Sequence, residues 1–279
     1  MPIHDQGYRR YGGRRAPHGR TWWVIARSGI MNVLRRRIFL GLLLVAWVPF
    51  VVYAVRFYLA ANFPQMSVFA PTHATFREFF DWQTVFVFFV TIYVGAGLVA
   101  NDRRANALQI YLSKPLTRAE YVAGKLVVLL VFLLGVTWLP AMLLLLLQVL
   151  FAGSLTFLRA NLFLLPAITL FAVVQVLTAS FAMLALSSLS KSSRFVGIMY
   201  AGLMFFTAAM YQALRAMTGS SSFAFISPAD CLDIVADAIF RVRSTYQVPA
   251  PVALIAILAL IGVSVVVLER RVRGVEVVT

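Results

Sequence analysis

Six uncharged, apolar runs divide this chain, over residues 38–55, 82–100, 126–158, 160–190, 195–214 and 244–268. A helix rising about 1.5 Å per residue crosses a hydrocarbon core of about 30 Å in roughly 20 residues, so each run is of spanning length or close to it. A soluble domain of 279 residues has no interior large enough for so much apolar side chain. The composition agrees, with 61% hydrophobic residues and 13% charged. In lipid the backbone must satisfy its own hydrogen bonds, which leaves helices as the spanning element for runs of this length. The expected fold is therefore all-α: a polytopic membrane protein with six transmembrane helices. The third and fourth runs exceed one span and are expected to include residues outside the hydrocarbon. Pro140 is expected to kink the third.

Lysine and arginine give the expected orientation, because basic residues collect on the cytosolic side. Of the 25, 19 fall within residues 1–37, within 101–125, at Lys191 and Arg194, and at Arg270, Arg271 and Arg273. Arg77, Arg159, Arg215, Arg241 and Arg243 fall on the opposite side, and Arg56 lies near the end of the first run, where it can snorkel to the headgroups. Both termini are thus expected in the cytosol. The net charge of +15 lies along one membrane edge without a recognition module, so nucleic acid is not an expected partner.

Residues 1–20 read as a disordered basic tail able to touch anionic lipid. A twin-arginine export signal does not fit, since the first apolar run begins only at Ile38 and is too long. Over residues 21–37 a helical wheel groups Trp22, Ala26, Ile30 and Val33 on one side and Arg27, Ser28, Asn32 and Arg35 on the other. This predicts an interfacial amphipathic helix anchored by Trp22 and Trp23; the alternative is an extension of the first span. Residues 38–279 then form the six-helix transmembrane domain.

Between the second and third runs lies a charged segment, 101–125, broken by proline. Asp102 is read as lying near the start of a short helix, where the dipole favours a carboxylate, with Ala105, Leu108 and Leu112 as its apolar stripe. Pro115 ends that helix and pushes Lys114 toward an extended backbone. Thr117, Arg118, Ala119 and Glu120 spell a capping box, so a second helix is expected to start at Thr117 and run through Gly124 and Lys125 into the third span. On its residues alone, the segment is either an elbow that can pass a push into the membrane or an amphipathic loop resting on headgroups.

Asp102, Arg103, Arg104, Leu108, Leu112, Ser113, Lys114, Pro115, Leu116, Thr117, Arg118, Tyr121, Gly124 and Lys125 together resemble the signature loop of ABC-2 type transporter permeases, the six-span membrane subunits of bacteria. The resemblance covers essentially the whole chain: amino-terminal interfacial helix, six spans, this loop after the second, and a longer outer segment before the sixth. Asn106 and Ala107 stand where the family usually carries Gly-Thr, and Gln109 where an acid is common. The resemblance implies a permease in the bacterial inner membrane, an exporter, driven by a separate cytosolic ATP-binding ABC subunit. It further implies a coupling helix whose contacts with that ATPase are Asp102, Arg103, Arg104, Ala105, Leu108, Leu112, Lys114 and Pro115. Thr117, Arg118, Glu120, Tyr121, Gly124 and Lys125 then form the coupling elbow. A second permease copy or a homologous permease completes the transporter, and no cofactor, metal or catalytic residue is implied on this chain. The rival is an ATPase-independent channel or scaffold subunit; an ion-coupled transporter is a third reading.

The remaining chemistry is sparse. There is no phosphate-binding Walker A motif, so ATP is expected to be handled in trans. Gly95, Gly97 and Ala100 have dinucleotide-fingerprint spacing but lie in an apolar run with no preceding strand, and are expected to serve close helix packing. His4, His18 and His73 are scattered, and Cys231 is a lone cysteine, so neither a metal site nor an internal disulfide is expected. No ionisable residue falls near a span's midpoint, which disfavours proton coupling. Thr91, Gln148, Gln175, Thr178, Thr207 and Gln212 can either line a pathway or hydrogen-bond neighbouring helices. In the outer segment 217–249, Ser227, Pro228 and Asp230 have the form of a helix start, with Leu232, Val235 and Ile239 opposite Asp230, Asp233 and Asp237. The three carboxylates are expected to form a solvated face, with Asp237 paired to Arg241 four residues on.

Overall fold

The computed structural model describes residues 21–63, 65, 70–107, 117–153 and 156–272. Among these all regular structure is helical. Six helical segments are long and apolar enough to cross a membrane: Arg37–Asn62, His73–Arg104, Arg118–Ala152, Leu164–Leu189, Ser193–Thr218 and Ala250–Arg271. We number them spans one to six. A separate helix, Thr21–Leu34, precedes the first, and a short one, Pro228–Ile239, lies between the fifth and sixth. With successive segments running in alternate directions, Arg36, Arg104, Arg118, Arg194 and Arg271 fall at one end of the bundle, here the basic end.

The first, second and fifth spans outrun the uncharged stretches that announce them, while the fourth falls inside its own. Nothing in 73–81 breaks a helix, so the second span starts at His73 rather than Trp82, with Thr72 and Thr75 forming a capping box. The first and third spans are each two helices. Span one breaks at Trp47, with Pro49 just beyond, and span three breaks at Thr137, three residues before Pro140. Pro140 has no N–H for the carbonyl four residues back, that of Val136. Gln83 of the second span fills the gap: its Nε2 donates to Val136 O and to Ala46 O, the latter at 2.9 Å. One buried amide thus serves both breaks.

The second and fourth spans form the spine. Two-thirds of the fourth span's most apolar stretch is buried (67%), against 17% for the fifth span and 22% for the first and sixth. At the basic end of the spine Ser187 of the fourth span bonds to the backbone of the second, accepting from Val99 N and Ala100 N and donating to Ala96 O at 2.9 Å. Gly95 packs inward here: a Cβ on it would lie 2.3 Å from Met183 of the fourth span. Gly97 differs, since its nearest neighbour is the side chain of Asn101 in its own helix.

At the far end, Ser227 caps the short helix by accepting from Asp230 N at 3.3 Å, with Pro228 in its first turn. Its carboxylates do not form the solvated face that the local pattern predicts. Asp230 and Asp237 are buried, and the pairing of Asp237 with Arg241 is replaced by one with Arg77, from the first turns of the second span. Arg77 Nε donates to Asp237 Oδ1 (2.9 Å), Nη2 to Asp233 Oδ1 (3.0 Å), and Nη1 to Asp81 one turn along its own helix. Tyr246 donates to Asp230 Oδ1 at 3.0 Å. Arg241 leaves the helix axis in a left-handed conformation (φ +56°), and its guanidinium lies 4.3 Å from the centre of the Phe163 ring. Phe80, Phe171 and Phe240 form the apolar floor beneath, with ring centres 4.9–5.9 Å apart. Burial raises the Asp233 carboxyl above its ordinary value, only partly offset by Arg77, and likewise raises the Tyr246 hydroxyl. Cys231 on the same helix is buried, and desolvation, with Asp230 beside it, pushes its thiol up to about 11.

Candidate functional site

The capping box predicted at the start of the third span is present. Thr117 Oγ1 accepts from Glu120 N at 3.2 Å, and Thr117 N donates back to Glu120 Oε2 at 3.0 Å. The helix Arg118–Val136 begins there and carries Tyr121, Gly124 and Lys125 into the bundle, as the sequence leads one to expect.

Asp102 stands elsewhere than predicted. No glycine or proline interrupts the chain between Gly97 and Arg104, so the second span simply continues to Arg104, and Asp102 sits in its last turn. The helix dipole opposes a carboxylate at that end. Two donors from the third span compensate: Lys125 Nζ and the Tyr121 hydroxyl each lie 2.7 Å from Asp102 Oδ2. Lys125 also lies over the Tyr121 ring, 5.5 Å from its centre. The side chains of Asp102 and Lys125 are only 18% and 12% exposed, so the pair is shielded from the salt and water that weaken surface ion pairs. Ala105, expected on the stripe of a new helix, is instead the cap of the second span, and Asn106 follows in a left-handed conformation (φ +52°) that stops it.

Two further contacts fix this root. Arg103 donates to Ser188 O, tying the end of the second span to the end of the fourth. Gly124 lets the amino-terminal helix approach the third span, because a Cβ there would lie 2.8 Å from Trp22 O and 2.9 Å from Ile25 Cβ. Of that helix's predicted apolar side, Ala26 and Val33 are buried, while Arg27, Ser28, Asn32 and Arg35 are exposed. It ends at Leu34, and an extended Arg36 separates it from the first span. A cavity of about 330 Å³ opens beside the root, lined in part by Asn32, Arg36, Asn101, Asp102, Lys125 and Arg194.

The structure therefore brings Asp102, Tyr121, Gly124 and Lys125 together, sends Arg103 to the fourth span, and leaves Arg104 and Arg118 exposed. Leu108, Leu112, Lys114 and Pro115 lie outside the described residues. Sequence reasoning missed Ser187 and Ser188, whose partners are 85 to 91 positions away and leave no local signal. Among the described residues no group of His, Cys, Asp or Glu is arranged to hold a metal. The contacts of Asp102 with Lys125 and Tyr121 join the exit of the second span to the entry of the third. Neither a protein-family model nor a curated protein matches this chain.

Proposed function

We propose that this chain is the membrane-spanning permease subunit of an ABC-2 type transporter, an exporter of the bacterial inner membrane with both termini in the cytosol. ATP is hydrolysed by a separate cytosolic ABC subunit; this chain is not an enzyme and carries no cofactor. A second copy or a homologous permease completes the pathway. Segment 101–125 holds the coupling helix, and Thr21–Leu34 lies along the inner membrane interface.

The observation that carries the reading is the clamp of Asp102 to Lys125 and Tyr121. A loop that receives a push must hang from helices that move together, and this one hangs from two span ends joined by a shielded ion pair. The fourth span is fastened to the same root through Arg103. A loop that merely rests on headgroups needs no such fastening.

The test is co-purification of the ATP-binding subunit. If Leu108 is buried on docking, a contribution of about 1.5 to 3 kcal/mol, Leu108→Asp removes it and adds a charge, so docking should weaken by roughly tenfold or more. Ser222→Asp, an exposed change at the far end, serves as the control. Equal recovery of the ATPase with both chains ends the reading.

A further inference from the structure

A cavity of about 810 Å³ opens at the basic end, between the start of the third span, the fourth span and the end of the sixth. Its depth is apolar, walled by Val122, Leu126, Phe181 and Val265. Leu126 and Phe181 each lie eight residues inside the basic end of their span, so the wall reaches roughly 12 Å toward the membrane centre. Its mouth is charged. Arg118 opens the third span there, and Glu269 and Arg270 stand in the last turn of the sixth.

These charges are not spent on one another. All three side chains belong to exposed residues, and none forms an ion pair with another described residue. At other span ends such groups do pair, as Lys125 with Asp102 and Arg56 with Glu78. Two guanidinium groups and one carboxylate are therefore available around an apolar slot at headgroup level. A guanidinium offers a planar fork of donors that matches a phosphate, and a carboxylate accepts from an ammonium. Water solvates such a mouth but gains nothing from the apolar depth. A free acyl chain fills the depth and leaves the mouth unused.

We propose that this cavity holds one phosphatidylethanolamine molecule, with its phosphate on Arg118 and Arg270, its ammonium on Glu269 and an acyl chain along Leu126 and Phe181. Basic recesses between spans suit lipid headgroups in general. The third charge decides which headgroup. Phosphatidylglycerol brings the phosphate but no cation for Glu269, and phosphatidylcholine brings a cation with no N–H to donate. The inference needs only that the basic end meets a headgroup layer, and it is independent of the transporter reading.

The probes are phosphatidylethanolamine, phosphatidylcholine and phosphatidylglycerol with identical dioleoyl chains. Binding of the first lipid is read by native mass spectrometry of the full chain in detergent, titrated with each lipid in turn. The wild-type chain should hold phosphatidylethanolamine about tenfold more tightly than phosphatidylcholine, the low end for a hydrogen bond to a charged group because the mouth is open to water. Glu269→Gln should bring the first down to the second, whereas Glu78→Gln, an exposed change at the far end, should alter neither. Arg118→Gln combined with Arg270→Gln should weaken all three lipids. Equal affinity of the wild-type chain for phosphatidylethanolamine and phosphatidylcholine overturns the proposal, a comparison that needs no variant to fold. Tighter binding of phosphatidylglycerol than of phosphatidylethanolamine, as exposed Arg271 beside the mouth would favour if Glu269 took no part, overturns it too. So does a preference for phosphatidylethanolamine that survives Glu269→Gln, or lipid binding left unchanged by the double arginine variant.

Discussion

With one side chain Gln83 satisfies backbone carbonyls in two different proline-broken spans. Gln83→Leu keeps the volume and removes both donors. Each lost bond in a membrane interior costs on average about 0.6 and up to about 1.7 kcal/mol, so the pair should cost about 1 to 3 kcal/mol. The assay is reversible unfolding in mixed SDS micelles. The cause is separated from generic damage by a cycle with Pro140→Ala. Alanine restores the N–H that Val136 O lacks, so the carbonyl no longer depends on Gln83. In that background Gln83→Leu should cost roughly half as much, a coupling of about 0.5 to 1.5 kcal/mol between residues on different helices. Strict additivity of the two substitutions refutes the account of the break.

Arg77→Ala strands Asp237, whose side chain is 12% exposed, and should destabilise the far end by about 3 kcal/mol, at the low end for breaking a buried pair because Asp81 and Asp233 are partly exposed. Cys231 reports the consequence directly: buried and protonated in the wild type, it should react with a thiol reagent many times faster in Arg77→Ala, and unchanged reactivity counts against the cluster as a fastening. Because the Asp233 carboxyl is raised above 3.8, the folded chain holds that proton more tightly than the unfolded one. Its contribution to stability is therefore full below 3.8 and falls as pH rises through the raised value, a loss that Asp233→Asn should remove; an identical pH profile for the variant contradicts the shift. For orientation, with Cys231 replaced by serine, a cysteine at exposed Ser222 should label with an impermeant reagent on intact cells and one at exposed Ser192 should not. The reverse pattern inverts the topology.

What was legible in the sequence was what a short window determines. Six charge-free lengths announce six spans, and the capping box at Thr117 needs only its own four residues. A dipole rule is local and puts Asp102 at a helix start, whereas the second span continues past it because no breaker intervenes and Lys125 arrives from another helix. The acidic stripe of 230–237 failed for a related reason. Arg241, the partner that spacing suggests, turns away through a left-handed residue, and the partner chosen, Arg77, is 160 positions distant from Asp237. Gln175 stands out in the sequence as polar within a span, but which of its two amide atoms is satisfied depends on a hydrogen that Thr84 gives to its own helix.

These contacts converge on one element. The second span is a single helix of 32 residues, about 48 Å long. Near its start Arg77 holds the far-end helix, Gln83 holds the breaks of spans one and three, Ser187 fastens it along its later turns, and at its end Asp102 and Arg103 hold the third and fourth spans. A packed helix fastened at intervals of this kind transmits displacement along its axis rather than absorbing it, because interiors at protein packing density compress little. Compliance is left to the broken spans, whose helices meet at Trp47 and Thr137 without a continuous ladder. In the proposed permease, a push received on segment 101–125 therefore moves the second span as a strut. The bending falls at the two breaks that Gln83 itself bridges, so Gln83→Leu should loosen the joint as well as lower the stability.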